Sequence, residues 1–394
     1  MNDNAPTTHD HATGGGAAVA PLTGIKVVEI GQNLSAPFTA EILAMLGADV
    51  YKVERPEGDD ARAWGPPFPL DLSTTFHANN RGKRSIALDL KNPRHADWLR
   101  GFLKDTDILV HNLRAGVAET LGFGAADCAA LNPRLVYCYL SAFGTTGPLQ
   151  DKPGYEVVLQ AFAGLWAING WEGGPPSRVG LPVLDLSTGV WGALGCVAAL
   201  QRRERTGLGG TVHGSLFETG LALQRNVVAS YSASGTLPER SQAGGKKVVP
   251  YGVFRARDGD LLIACSNNRL FAKLARALGR DDWVADASLQ SNPGRLARRD
   301  ELLGAINGII GTATIAHWMD VLEAAGVPCS PVQNIGEVLA HPQTAALGIV
   351  DAVPGEDMRL VGLPLSFDGQ RPVAPRPAPA TGADNQTLGA PLPD

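Results

Sequence analysis

Paired cysteines, metal-ligand spacing, a basic excess and a membrane-length apolar run are all missing from this sequence, and each absence removes a class of function. The five cysteines, Cys128, Cys138, Cys196, Cys265 and Cys329, are scattered, odd in number and without a C-x-x-C pair. That argues against a disulfide framework and for free thiols in a reducing cytoplasm. The eight histidines form neither H-E-x-x-H nor a mixed Cys/His cluster, so no metal site is expected. Lys and Arg total 34 against 39 Asp and Glu, a net charge of −5. No global basic field exists to attract nucleic acid, so any anionic ligand must be met by a local basic cluster. The longest apolar stretches, near 25–30 and 190–200, are too short to span a bilayer. No Lys or Arg precedes Lys26, so residues 1–20 lack the basic start of a secretory signal and read as a disordered extension. Thr206-Gly-Leu-Gly-Gly210 lacks the lysine of a phosphate-binding loop.

What is present is an alternation of strand and helix. Ile25–Ile30 is a β-rich run, Ala36–Gly47 reads as a helix stopped by glycine, and Asp49–Glu54 is a second strand. This βαβ unit implies a parallel sheet. Further strands are expected at Arg84–Leu88, Asp107–Val110 and Leu135–Leu140, with a helix after Pro93 that carries Trp98, Leu99, Phe102 and Leu103. The fold class is therefore α/β: a large doubly wound, Rossmann-like domain whose loops at the strand ends meet the ligand. Later come a helical pattern over 154–168, a Gly/Pro-rich loop, and a long helix from Val190 to about Arg205. A composition break after Tyr231 precedes a hairpin pattern, 253–256 and 261–264, and helical periodicity over 271–278 and 299–318. The division expected is 21–227 for the first part of the large domain and 228–328 for a smaller α+β domain. Residues 329–394 then return to the large domain and end in an extended, Pro-rich tail.

Six ordered blocks carry a family resemblance. They are Leu22-Thr-Gly-Ile-Lys-Val-Val-Glu29, Leu46-Gly-Ala-Asp-Val-Tyr-Lys-Val-Glu-Arg-Pro56, Asn80-Arg-Gly-Lys-Arg-Ser-Ile-Ala-Leu-Asp-Leu90, Pro153-Gly-Tyr-Glu156, Arg178-Val-Gly180 with Asp185, and Thr206-Gly-Leu-Gly209. In this order they resemble the class III CoA-transferases (CaiB/BaiF type), from about Pro21 to about Phe367. The resemblance implies an interlocked homodimer whose substrate is a coenzyme A thioester, with no permanently bound cofactor. The expected partners are that thioester, a small carboxylic acid and a second copy of the chain, with neither nucleic acid nor membrane.

By its local sequence, Asp185 reads as a helix N-cap, although Ser187 and Thr188 are equally able to cap that helix. The resemblance makes Asp185 the nucleophile, forming first an aspartyl-acyl anhydride and then an aspartyl-CoA thioester. A helix beginning near Val190 would favour its ionised form. Tyr155 and Glu156 are expected beside it. The related 2-methylacyl-CoA racemases carry His where this chain has Tyr155, and a tyrosine, ionising near pH ~10 in water, is a poor base. Its plain alternative is a core aromatic at a helix start.

Along the CoA path the resemblance places Arg55, Lys83, Asn112 and Arg114, and Arg84 joins them by its position after a strand candidate or beside a turn, where loops meet ligands. Each is also readable as an ordinary solvated side chain. Some relatives have a basic residue where this chain has Thr120. Gly244 and Gly245 occupy the place of a glycine loop that closes over the intermediate, with Lys246 and Lys247 positioned to attract a distal acid group. Val249-Pro-Tyr-Gly-Val-Phe254 and Gly326-Val-Pro-Cys-Ser-Pro-Val332 resemble the branch that uses succinyl-CoA and small diacids. The acceptor classes this leaves open are glutarate, itaconate, mesaconate, malate and sulfinate-bearing analogues. Racemisation of a 2-methylacyl-CoA and non-catalytic acyl-CoA binding are the competing functions.

Overall fold

Alternating apolar residues in the first strand face two different cores. In the computed structural model, which describes residues 20–240, 247–353 and 356–393, β1 (Lys26–Ile30) sends Val27 to one side of a sheet and Val28 to the other. Both are fully buried, as in a parallel sheet covered on both faces. The remaining strands are β2 (Asp49–Glu54), β3 (Lys83–Ala87), β4 (Ile108–His111), β5 (Val136–Ser141) and β6 (Gly210–Ser215). All pairings are parallel, in the order β3-β2-β1-β4-β5-β6. Strand order reverses between β1 and β4, so a crevice opens beyond their C-terminal ends.

Helices α1 (Ser35–Met45), α2 (Thr74–Asn80), α3 (Pro93–Leu103), α4 (Val117–Thr120), α5 (Ala125–Leu131), α6 (Glu156–Phe162), α7 (Leu165–Ile168) and α8 (Val183–Thr206) follow in chain order. The first ends because Gly47 turns back with φ +98°, where a Cβ would lie 2.5 Å from Ala20 Cβ. α3 starts on an Asn92 cap with Pro93 in its first turn, and buries Ala96, Leu99 and Leu103 at helical spacing. α1 and α8 cover the Val27 face of the sheet, while α3 and α5 cover the Val28 face.

Two expectations shift here. The long helix begins at Val183, seven residues (190 − 183) before Val190, and neither Ser187 nor Thr188 caps it. Thr188 lies inside the helix and bonds Thr219 on α9 (Leu216–Leu223) at 2.8 Å. By length and composition α8 resembles a membrane span, yet it packs on α1 through Thr39 and buries Ala193, Cys196, Ala199 and Leu200 in the main core.

After α10 (Arg225–Ser234), an antiparallel sheet of β7 (Tyr251–Arg255), β8 (Asp260–Ala264) and β9 (Cys329–Pro331) carries its own core. Phe254, Leu261, Ile263, Phe271, Trp283, Ile306, Trp318 and Leu322 fill it. The periodicity over 299–318 resolves into two helices, Arg299–Ile310 and Ile315–Ala324, bent by 115°. β9 takes the last strand of this sheet three residues (331 − 328) past residue 328.

A hairpin of β10 (Val350–Ala352) and β11 (Arg359–Val361) follows. The C-terminal tail does not stay extended, because residues 381–389 form successive turns against the outer edge of β3. Asn385 accepts from Ala87 N at 2.8 Å and donates to Ala87 O at 2.9 Å, while Asp384 accepts from Ser85 N at 2.9 Å. An edge strand is thereby covered.

Candidate active site

Three helix N-termini meet where Asp185 sits: α1 follows β1, while α6 and α8 both lie in the connection from β5 to β6. Asp185 is the third residue of α8, half-buried, one turn before Gly189. It does not cap the helix; Pro182 precedes the first turn without a side-chain bond. The open Leu184 N–H instead donates to Glu156 Oε1, on the first turn of α6, at 3.3 Å.

Gln160, one turn on and fully buried, fixes this corner. Its Nε2 donates to Glu156 Oε1 at 2.7 Å and to Leu181 O at 3.2 Å, and its Oε1 accepts from Val179 N at 3.0 Å. The Arg178–Gly180 block is thus the backbone that Gln160 clamps ahead of α8.

Burial raises the Asp185 carboxyl to about 7, the nearby Glu156 charge adds to the rise, and a hydrogen bond from Ser35 opposes it. Burial and the Glu156 charge thus outweigh the Ser35 bond, so the Asp185 anion is harder to form than that of an ordinary carboxylate. Ser35 opens α1 and is almost fully buried. It was not foreseen from the sequence, and its one signal is its place at the start of the helix that follows the switch-point strand.

Asn112, the residue after β4, crosses the switch point to hold the β1–α1 loop. Its Oδ1 accepts from Gln32 N at 2.9 Å, and its Nδ2 donates to Gln32 O at 2.8 Å and to Ser35 Oγ at 3.3 Å. Beneath this loop two buried lysines grip its ends. Lys52 Nζ donates to Gly31 O at 3.0 Å and pairs with Glu29 and Asp59 at 2.8 and 2.9 Å. Lys83 Nζ donates to Pro37 O at 2.8 Å, Asn80 Oδ1 at 2.7 Å and Glu29 Oε2 at 2.7 Å. Burial lowers Lys83 to about 8 against the opposing charge of Glu29.

Lys83 is therefore corrected as a ligand contact: it is fully buried and its three ammonium hydrogens are matched by three acceptors. The other basic candidates are more open. Arg55 pairs with Asp60 at 2.6 Å while remaining about half exposed. Arg84 lies 3.7 Å from Asp384. Arg114 is exposed and lines a cavity of about 320 Å³ with His111, Tyr137, Tyr139, Glu119 and His213. Thr120 closes α4 with its hydroxyl bonded to Gly116 O at 2.8 Å, and supplies no charge there.

Tyr155, at the start of α6, is 69% exposed in the chain rather than a core aromatic. Gly244, Gly245 and Lys246 lie outside the described residues, while Lys247 Nζ donates to Ser230 Oγ at 2.9 Å.

Comparison with known proteins adds an independent line. The model of CoA-transferase family III matches residues 22–385. The acetyl-CoA:oxalate CoA-transferase of Acetobacter aceti is 36% identical over 363 residues, 90% of this chain and 92% of that one. The succinate–glutarate CoA-transferase of Agrobacterium fabrum is 35% identical over 349 residues, 86% of each chain. Among solved structures, a CaiB/BaiF family protein from Brucella suis aligns with a TM-score of 0.84 and 31% identity, covering 95% of this chain and 100% of that one.

Proposed function

The chain belongs to CoA-transferase family III and is a class III CoA-transferase, and on that premise we propose that it moves CoA from succinyl-CoA to a small dicarboxylate with Asp185 as the nucleophile. The observation that carries the reading is a half-buried carboxylate at three converging helix starts, raised to about 7 yet held by a hydroxyl donor.

In this reading, the Asp185 carboxylate attacks the donor thioester carbonyl; a C–O bond forms, the C–S bond breaks, and CoA leaves as thiolate. The thiolate then attacks Cγ of Asp185, giving a C–S bond and releasing the succinate carboxylate. The acceptor carboxylate attacks the same carbon and displaces the thiolate. The thiolate finally attacks the acceptor's acyl carbon, releasing the new acyl-CoA and free Asp185. Every nucleophile and every leaving group is an anion, so the cycle exchanges no net proton and requires no general base. An exposed Tyr155 in place of histidine is compatible with that chemistry. Glu156 and Gln160 set the geometry of the α8 start, and Glu156 keeps the Asp185 anion at high energy.

Arg55, Arg84 and Arg114 are proposed to meet the CoA phosphates, and Asn112 to shape the crevice beside them. Two relatives support a diacid acceptor: the succinyl-CoA:glutarate CoA-transferase of Homo sapiens and the succinyl-CoA:mesaconate CoA-transferase of Haloarcula hispanica. Gly244 and Gly245 are proposed to cover the intermediate, with Lys246 and Lys247 drawing the distal acid. Pairing of two copies is part of the same proposal; it is supported by the exposed apolar stripe Val190, Trp191, Leu194 and Val197 on α8, and light scattering gives the mass that tests it.

The test is an acid panel with succinyl-CoA, read by mass spectrometry of acyl-CoA products, with hydroxylamine trapping during turnover. A labelled Asp185 and an inactive Asp185→Ala variant are expected. Full transfer by Asp185→Ala would overturn the mechanism, and deuterium uptake into the acyl-CoA without transfer would favour racemisation instead.

A further inference from the structure

Ser35 is placed against Asp185 by a ladder that repeats one turn further along both helices. Ser35 and Thr39 are one turn apart on α1, as Asp185 and Gly189 are on α8. Thr39 Oγ1 donates to Gly189 O at 3.0 Å, which fixes the lateral register of the two helices and sets Ser35 beside Asp185. The hydroxyl is also fixed in direction. Asn112 donates to Ser35 Oγ at 3.3 Å, and the orientation of the Asn112 amide is itself set by its two bonds to the Gln32 backbone. An Oγ that accepts from Asn112 keeps its own hydrogen free to donate, and the Asp185 carboxylate is the partner whose charge that bond favours.

We propose, resting on the reading of Asp185 as nucleophile, that Ser35 is the donor that holds one Asp185 oxygen throughout the reaction cycle and leaves the other to attack. In the free enzyme the bond aims the carboxylate and favours its anion. Once Asp185 is acylated, the oxygen held by Ser35 is the one that stays a carbonyl. When the thiolate or the acceptor carboxylate adds to Cγ, that oxygen becomes the oxyanion, and a donor fixed beforehand stabilises it. The same hydroxyl thus serves the aspartate as ground-state anion and as electrophile.

The charged and titratable groups on elements packed against the α8 start are few. Glu156 on α6 faces Asp185 and raises it. Glu41, further along α1, pairs with Arg81 at 3.4 Å. Glu218 on α9 accepts from Ser215 at 2.7 Å. On β6, His213 contacts the Tyr139 ring of β5. On β5, Cys138 meets Cys196 of α8, Tyr137 bonds His111, and the α8 arginines lie in its later turns.

The experiment compares wild type, Ser35→Ala, Ser35→Cys and Thr39→Ala in the full-length protein. Carbon-13 NMR of labelled aspartate, assigned by Asp185→Asn, reads the Asp185 titration without any turnover. Ser35→Ala is expected to move that titration upward and to lower kcat with little change in KM. The loss should exceed tenfold below pH 7 and narrow toward pH 9 without vanishing, since the oxyanion donor is missing at every pH. Ser35→Cys, a weaker donor, should fall between Ser35→Ala and wild type. Thr39→Ala loosens the same helix pair, so it should lower the melting temperature and move the Asp185 titration less than Ser35→Ala does. An Asp185 titration unmoved in Ser35→Ala, or moved equally in Thr39→Ala, overturns the inference. A wild type that transfers CoA to no acid, with the NMR shift still present, instead overturns the transferase cycle and leaves the Ser35–Asp185 bond standing.

Discussion

Thr39 on α1 and Gly189 on α8 are joined by a 3.0 Å bond from hydroxyl to backbone carbonyl, so at that level the side chains of α1 rest directly on the backbone of α8. A Cβ on Gly189 would lie 2.9 Å from Phe38 Cδ1 and 3.1 Å from Ser35 O; one on Gly192 would lie 2.7 Å from Thr39 Oγ1. The glycines of Leu-Ser-Thr-Gly-Val-Trp-Gly therefore serve close packing.

Gly189→Ala should part the helices at the level of Ser35. Overpacking of this kind costs about 1–3 kcal/mol, measurable by denaturant unfolding. The loss of kcat should be larger than that of Gly192→Ala, whose added methyl meets a hydroxyl one turn further from Asp185. Equal losses in the two variants would count against a site built on this contact.

The pH dependence of kcat/KM follows from the same corner. Burial and the Glu156 charge raise Asp185 to about 7, and only its anion is a nucleophile. Its folded value is raised, so the active anion is depleted as pH falls through 7: kcat/KM should climb with pH and level off above about 8. At pH 5, two units lower, the loss is about a hundredfold. Glu156→Gln removes the repelling charge while keeping an oxygen for Leu184 N–H, so its profile should move toward acid. A profile that stays put would mean that burial alone raises Asp185.

Much of this architecture was readable from the sequence, for a physical reason. The parallel strands are short β-rich runs separated by helices, and observed boundaries such as Asp49–Glu54 and Pro93–Leu103, the latter capped by Asn92, coincide with residues whose roles are local. The start of α8 was not readable, because its cap is not local. Glu156, 28 positions earlier, takes the Leu184 N–H, so Pro182 looked like part of a loop. Lys83 misled for a similar reason: a lysine after a turn reads as solvated until Glu29 and Asn80 are seen to surround it. Ser35 had no sequence signal beyond its place at the start of α1, since its role arises from the register of α1 on α8. The turns at 381–389 were hidden by Pro-rich composition, which describes the approach to β3 but not the Asn385 bonds that end it.

Lys83 and Arg114 should separate cleanly when replaced. Lys83→Met leaves Glu29 Oε2, Asn80 Oδ1 and Pro37 O without their shared donor, and breaking a buried pair in this way costs about 3–5 kcal/mol. Stability should drop, with KM for the acyl-CoA little changed in the protein that folds. Arg114→Ala, at an exposed cavity wall, should leave the melting temperature within error and raise that KM several-fold. The reverse pattern would return Lys83 to the ligand and make Arg114 a bystander.

The C-terminal clasp gives a last separation of fold from chemistry. β3 is the outermost strand on one side of the sheet, and its edge, if uncovered, would offer free N–H and C=O groups to other chains. Asn385, 1% exposed, satisfies both Ala87 N and Ala87 O and also donates to Pro391 O at 3.0 Å, while Gly382 N donates to Ser85 Oγ at 2.8 Å. Asn385→Ala strands two buried backbone groups, at about 1–3 kcal/mol each. Truncation after residue 380 uncovers the whole edge. The point variant should lower the melting temperature while leaving kcat and KM unaltered at 25 °C. The truncation should in addition scatter light on warming as β3 pairs between molecules. A truncated chain that stays monodisperse through its transition would mean that β3 is too short, or too twisted, to act as a template.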